Sequence, residues 1–433
     1  MTNAEVRLWG RAIGAVSWDK EKELAFFEYT QNFLKSGIRV APLIMPLSPQ
    51  IYSFPAIARK TFYGLPGMLA DSLPDKFGNL LIDKWLESEG RSPKDFDPVE
   101  RLCYIGTRGI GALEFSPSHG PQNNEGHSLQ VDALVALASK ILTDRNAFKT
   151  SLAESEKEQA MKDILRVGTS AGGARAKAII AWNPNTHEVR AGNIESKEGF
   201  SYWILKFDGV KGNKDKDLED PQGYGLIEYA YYKMAVAAGI QMMECRLLLE
   251  GGRSHFMTKR FDRDEAGKKI HMQSLCALAH YDYNQPGAYS YEQAIQIMRQ
   301  LDMPMERLEE QYRRTVFNIL ARNQDDHVKN IAFLMNKAGE WSLSPAFDVN
   351  YSYNPSGSWT NKHQMSLNGK RDDFTKDDFV MFAKNAALQK TKAKEIFAEV
   401  QRVVRKWKKF ADEAGVSKDV AQRIAETHRL NMS

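Results

Sequence analysis

The chain has 433 residues, of which 42% are hydrophobic and 26% charged, with a formal net charge of +4. That is enough chain for two to four domain-sized cores, and the charge is too small to mark a nucleic-acid binder by itself. Three widely spaced cysteines, Cys103, Cys245 and Cys276, give neither a disulfide framework nor metal-ligand spacing, which fits a reducing cytoplasm. No apolar run approaches the ~18 residues of a membrane span, and the start MTNAEVRLWGRAIGAVSWDK lacks a secretory apolar core, so a cytoplasmic location with no membrane partner is expected.

The stretch VRLWGRAIGAVSW, ending at Trp18, alternates well enough for a hairpin with a glycine turn. LLIDKWLES (80–88) reads as helix. IGTRGIGALEF (105–115) reads as turns running into a strand, its glycines better suited to positive φ than to a phosphate loop. SPSHGPQNNEGHS (116–128) reads as a loop or subdomain boundary, with a helix over 129–143. ILRVGTSAGGARAKAIIAW (164–182) predicts strand, glycine loop, strand, and SYWILKFDG (201–209) a further strand. LIEYAYYKMAVAAGI (226–240) predicts a helix stopped by Gly239, and CRLLLEGGRSHFMTKRFDR (245–263) a β-hairpin. From about residue 290 the pattern is helical, and the stretch 391–415 sets Ile396, Val400, Val403, Val404, Trp407 and Phe410 on one face. The expected fold is an α/β N-terminal region followed by a mostly α-helical lobe. Its parts are a β-rich subdomain (1–125), a lobe with a glycine loop (126–265) and a helical lobe (266–433), in a two-lobe, kinase-like outline.

The densest chemistry lies in RNQDDHVKNIAFLMNKAGEWSLSPAFDVN. Asp325 and Asn330 stand five residues apart, the Asp-to-Asn spacing of a kinase catalytic loop. A carboxylate must accept a proton from the attacking hydroxyl, and an amide oxygen nearby must hold Mg²⁺. Asp348 follows Asn330 by eighteen residues, room for a hairpin of IAFLM and WSLSP, and can supply the second metal ligand. Lys206 lies in an apolar strand and needs an exposed face or an anion, with Glu228 at the next helix as a partner. GTSAGGARAK (168–177) lacks the Lys-Ser/Thr of a Walker A loop, yet could offer backbone N–H groups to phosphates, with Ser170 as a hydroxyl in its middle. Each has a plainer reading: a solvated turn at Asp325, an edge-strand lysine, an ordinary helix-start acid, a hairpin turn.

Together, GLPGMLADSLPD (64–75), IGTRGIGALEF, GTSAGGARAKA, WILKFDG, KRFDR, NQDDHVKN and LSPAFDV resemble, in order, the HipA family of bacterial serine/threonine kinases, toxins of type II toxin–antitoxin modules. The resemblance implies Asp325 as catalytic base and Asn330 and Asp348 as Mg²⁺ ligands. It implies Lys206 as a contact to ATP phosphates, His327 and Lys329 near the phosphate site, and Lys259, Arg260 and Phe261 as a hinge facing adenine. Gly172, Gly173, Ala174, Arg175, Ala176 and Lys177 would form the phosphate loop, and Ser170 would be the autophosphorylated serine whose modification silences the enzyme. The implied partners are a HipB-like helix-turn-helix antitoxin, a protein substrate such as a glutamyl-tRNA synthetase, and operator DNA through the complex. Departures are the second aspartate Asp326, which could add a metal ligand or merely repel, Lys259 where a glutamate is common, and Ala176 where a family member carries Pro or Glu.

Other classes stay open at this point. The basic stretch holding Lys384, Lys390 and Lys392 could touch DNA in a regulatory complex, or be a solvated helix face. A small-molecule phosphotransferase shares the Asp-x4-Asn logic, and a metal hydrolase could use Asp325, Asp326 and His327.

Overall fold

The structure, a computed structural model, describes residues 2–432 apart from 75, 121–127, 144–154, 169–174, 193–198, 211–213, 216–217 and 220–221. Its first unit is an antiparallel sheet in the order β3-β2-β1-β4, built from β1 (Thr2–Leu8), β2 (Arg11–Asp19), β3 (Leu24–Tyr29) and β4 (Leu113–Ser116). β1 buries Ala4, Val6 and Leu8, the period of two that one-sided packing demands. The β1–β2 turn places both Trp9 and Gly10 at positive φ, as a two-residue hairpin of matching twist requires. The helix Pro98–Ile105 lies against this sheet. It starts with a capping box between Asp97 and Glu100 and a proline in the first turn, so its N-terminal N–H groups are satisfied locally.

The second sheet is also antiparallel, in the order β10-β11-β7-β5-β6. It comprises β5 (Lys177–Trp182), β6 (Val189–Ala191), β7 (Ser201–Lys206), β10 (Cys245–Glu250) and β11 (Arg253–Lys259), while β8 (Lys214–Asp215) and β9 (Leu218–Glu219) pair apart from it. β5 is buried at every position because helices Val131–Thr143 and Ser155–Gly168 share its core. The strand expected at 164–168 is the last stretch of that second helix. A short apolar run cannot separate a strand from a buried helix end, and here Ile164, Leu165 and Val167 bury in one cluster with Ala178 and Ile180 of β5.

The third part is mainly helical, with a small sheet of β12 (His271–Ser274), β13 (Ala332–Met335) and β14 (Trp341–Leu343). β13 and β14 are the hairpin expected between Asn330 and Asp348. The stretch 391–415 forms two helices, Lys390–Val404 and Trp407–Glu413, with a turn between them. Its apolar face survives the break. Trp407 is buried against Tyr231 with ring centroids 5.0 Å apart, and its indole N–H donates to the Ala421 carbonyl at 2.9 Å.

One hydrophobic core runs through the first sheet and the helical lobe, from Val6 and Phe27 to Val316 and Trp407. A second core underlies the five-stranded sheet. The first sheet's unit is also tied to the helical lobe by polar contacts. Asp71 accepts from the Ser274 N–H at 2.7 Å and its hydroxyl at 2.8 Å, His280 Nε2 accepts from the Gly67 N–H at 2.9 Å, and Asn284 donates to the Thr61 hydroxyl at 2.9 Å. No helix among the described residues is long and apolar enough to cross a membrane.

Candidate active site

A cleft of ≈ 720 Å³ opens between the two cores, a volume suited to a nucleotide-sized ligand. Arg175, Lys177, Lys206, Lys259, Phe261, Asp325, His327, Lys329, Asn330 and Asp348, spread over 174 positions of sequence, all line it.

Lys206 ends β7 directly opposite Lys177 of β5. Two ammonium groups side by side on a sheet repel, and a buried lysine keeps its charge only against anions. The protein supplies two. The Lys206 ammonium donates to Glu228 at 2.5 Å, on the helix Tyr224–Ala237, and to Asp348. Burial alone would depress the Lys206 pKa, but Asp348 and Glu228 reverse that and raise it. Burial likewise pushes the Asp348 carboxyl up, and Lys206 and Lys177 outweigh it, so Asp348 stays ionised well below the usual carboxylate range. Asp348 has φ +52°, a left-handed backbone that Asp tolerates better than most residues.

Across the cleft, Asp325 precedes the short turn Val328–Asn330. The Trp359 indole N–H donates to its carboxylate at 2.6 Å, His327 Nε2 lies 3.9 Å away, and the Asn330 side-chain amide donates to the Asp325 carbonyl at 2.8 Å. That last bond joins the two ends of the Asp-x4-Asn spacing. Lys329 lies over the Tyr283 ring, 5.3 Å from its centroid. The Arg175 guanidinium stacks on Tyr224 at 3.8 Å. The cleft also has apolar lining, with Phe261 and Phe347 rings 5.5 Å apart and Ile204 and Met242 among its walls.

Several expected residues sit differently. Ala176 is fully buried, its carbonyl accepting the Phe207 N–H at 3.1 Å, and it does not line the cleft because it belongs to the core under the sheet. The Arg260 side chain forks onto Asp262 at 2.8 and 2.6 Å and is wholly buried, and its backbone N–H is already donated to the Tyr202 carbonyl at 2.9 Å. Asp326 neither joins a metal site nor repels Asp325. It is buried and accepts from Tyr291, His363 and the Gln364 N–H, contacts that overcome the effect of burial and hold its pKa below the ordinary value. Asp325 and Asp326 thus face different surroundings, and among the described residues no group of three His, Cys, Asp or Glu side chains could hold a metal ion. The hydrolase reading loses Asp326 from its expected ligands. Ser170, Gly172, Gly173 and Ala174 lie outside the described residues. Lys384 and Lys390 are exposed and Lys392 half-buried, on the helices Lys376–Asn385 and Lys390–Val404, away from the cleft.

Sequence reasoning missed Trp359, which touches the Asp325 carboxylate. It stands alone in the Ser/Asn/Gly-rich stretch NPSGSWTNKH, with no periodicity or partner spacing to mark it.

Residues 169–407 match the family model of the HipA-like C-terminal domain, and residues 4–116 match that of the HipA N-terminal domain. The chain belongs to the HipA family. Among solved structures, HipA in the Shewanella oneidensis toxin–antitoxin complex of HipA, HipB and operator DNA superimposes with a TM-score of 0.67 at 16% identity, covering 98% of this chain and 94% of that one. This likeness establishes the HipA fold over nearly the whole chain. A Haemophilus influenzae protein named "Putative kinase" is 26% identical over 217 residues, an alignment spanning 42% of this chain and 63% of that protein. A Helicobacter pylori kinase, CtkA, aligns at a TM-score of 0.30, too distant to bear on the fold.

Proposed function

We propose that this HipA-family protein is an ATP- and Mg²⁺-dependent serine/threonine protein kinase acting as the toxin of a toxin–antitoxin module. The observation that carries the reading is Lys206 held between Glu228 and Asp348, facing Asp325 and Asn330 in one cleft. Phosphoryl transfer asks the protein chiefly for positioning and for charge against the phosphates, and those side chains are of the right types for both. Hard oxygen donors, the ionised Asp348 carboxylate and the Asn330 amide, suit Mg²⁺. When bound, Mg²⁺–ATP would supply the transferable phosphoryl group and neutralise its charge.

The chain's own residues do the rest. Lys206, Lys177 and Lys329 offer cations to the phosphates. Phe261 and Phe347 bury the base, and the backbone of Lys259 to Phe261 faces its edge. Asp325 takes the proton of the acceptor hydroxyl, its carboxylate held in place by Trp359. By resemblance the acceptor is a protein serine, an aminoacyl-tRNA synthetase being the proposed target, whose modification would arrest translation. Autophosphorylation would fall on Ser170. A HipB-like antitoxin is the proposed inhibitor, and with it operator DNA, which Lys384, Lys390 and Lys392 are free to approach as phosphate contacts.

The test is mass spectrometry of the protein after incubation with Mg²⁺–ATP, beside Asp325→Ala. Phosphate on Ser170 of the wild type alone supports the reading. Absence from both, with no transfer to added synthetases, would favour a regulatory, operator-binding role.

A further inference from the structure

We infer that Arg429, beyond the last helix and far from the cleft in sequence, is a positioning residue that sets the catalytic loop through His363 and Asp326. The inference rests on the kinase reading above.

Asp326 adjoins Asp325 in the chain. Its carboxylate accepts from the Tyr291 hydroxyl at 2.5 Å, His363 Nδ1 at 2.7 Å and the Gln364 N–H at 2.7 Å. Arginine can only donate. Arg429 Nη1 lies 2.8 Å from His363 Nε2, so that nitrogen accepts and the proton of the neutral ring resides on Nδ1, aimed at Asp326. Arg429 therefore selects the tautomer that Asp326 requires. Burial, with Arg429 and Arg322 nearby, holds the ring below its ordinary pKa against the pull of Asp326, consistent with a neutral ring.

Arg429 is itself anchored. Its backbone N–H donates to Leu320 at 2.9 Å, Nη1 also reaches the Ile319 carbonyl at 3.2 Å, and Nη2 donates to Asp372. Arg322, at the start of the loop, donates to the Thr427 carbonyl at 2.7 Å. The opposite side of the loop is bound into the same unit. Gln364 donates to the carbonyls of Gln324 at 3.2 Å and Trp359 at 2.6 Å, and Gln324 donates to that of Thr360 at 3.0 Å. Trp359 then reaches Asp325. Asp325 is thus gripped through its neighbour on one side and through its carboxylate on the other, and both grips meet at the His363–Gln364 pair that Arg429 supports. Catalysis by a general base tolerates little misplacement.

The experiment uses the full chain and Arg429→Ala, with transfer kinetics under Mg²⁺–ATP and hydrogen exchange of the peptide spanning 322–330. The expected result is a kcat lower by about 10- to 100-fold with KM for ATP within about twofold, partial rescue by added guanidinium, and faster exchange in that peptide. If Arg429→Ala does not fold, Tyr291→Phe, which deletes one donor to Asp326 and keeps the ring, should lower kcat several-fold at constant KM. An active wild type with an unchanged variant kcat, or a kcat loss matched by KM and deaf to guanidinium, overturns the inference and leaves the kinase reading standing. A wild type without any transfer overturns the kinase reading, and unchanged exchange at 322–330 then overturns the loop-positioning inference independently.

Discussion

The four-stranded and five-stranded sheets are both antiparallel, yet they are built into the molecule differently. The first shares a continuous core with the helical lobe, and Asp71, Gly67 and Thr61 stitch the seam. The second has a core of its own, and it meets the helical lobe across the cleft and through the helix Tyr224–Ala237, whose Tyr231 joins the shared core. The N-terminal unit is therefore part of the platform that holds Asp325, whereas Lys206 leaves a sheet whose own core is separate from it. Shared apolar burial couples stability, and separate cores decouple it.

The largest effect should come from chemistry that leaves this division intact. Asp325→Asn should lower phosphotransfer by about 10²- to 10⁴-fold, with calorimetric transitions at wild-type temperatures; a shifted transition would show that the site and the fold are not separable there. Next, Phe27→Ala in the first sheet, fully buried in the shared core, should cost about 3–5 kcal/mol and melt the helical lobe with it. Ile180→Ala in the second core should cost about 2–5 kcal/mol and lower an earlier transition confined to the five-stranded lobe. Scanning calorimetry in which Phe27→Ala spares the helical lobe would break the comparison. Smaller again, Trp359→Phe removes a hydrogen bond to a charged acceptor, about 1.5 kcal/mol or roughly tenfold in kcat; an unchanged kcat would remove Trp359 from the site.

The smallest effect is a pH dependence at the seam. Burial lowers His280 from 6.5 to about 4, and its Nε2 must stay unprotonated to accept the Gly67 N–H. The unfolded chain binds this proton at higher pH than the native one, so stability rises with pH in that window. The contribution is fully present above about 6.5, falls as pH drops from there toward 4, and His280→Gln should flatten that slope in urea titrations. An identical slope in the variant would place the acid sensitivity elsewhere, in His271 or His428, which burial lowers to about 3.

How much of this was legible in sequence follows from how local each requirement is. Asp325 and Asn330 are joined by a bond across five residues, and Lys206 sits on a strand whose neighbours announce it, so spacing and residue type sufficed. Gly10 and Gly239 marked their turns through positive φ. Asp326 was misjudged because its partners, Tyr291 and His363, are 35 and 37 residues away in opposite directions, and no local pattern pairs a carboxylate with them. The helix ending at Gly168 was missed because its apolar residues are those a strand would also bury. The shared core could not be read at all: amphipathic faces reveal that something covers them, not which element does.

The ion pair between Lys206 and Asp348 has one further consequence. If the cleft takes Mg²⁺–ATP as proposed, a phosphate reaching Lys206 would have to compete with Asp348 for the same ammonium. On that reading, affinity for ATP would be a difference between two occupancies of the same ammonium, with Asp348 as the competing anion. Neutralising Asp348 as Asn should weaken Mg²⁺–ATP while tightening metal-free ATP, an inversion that equilibrium titration with and without a chelator would read directly, and that an empty, preformed phosphate pocket would not produce.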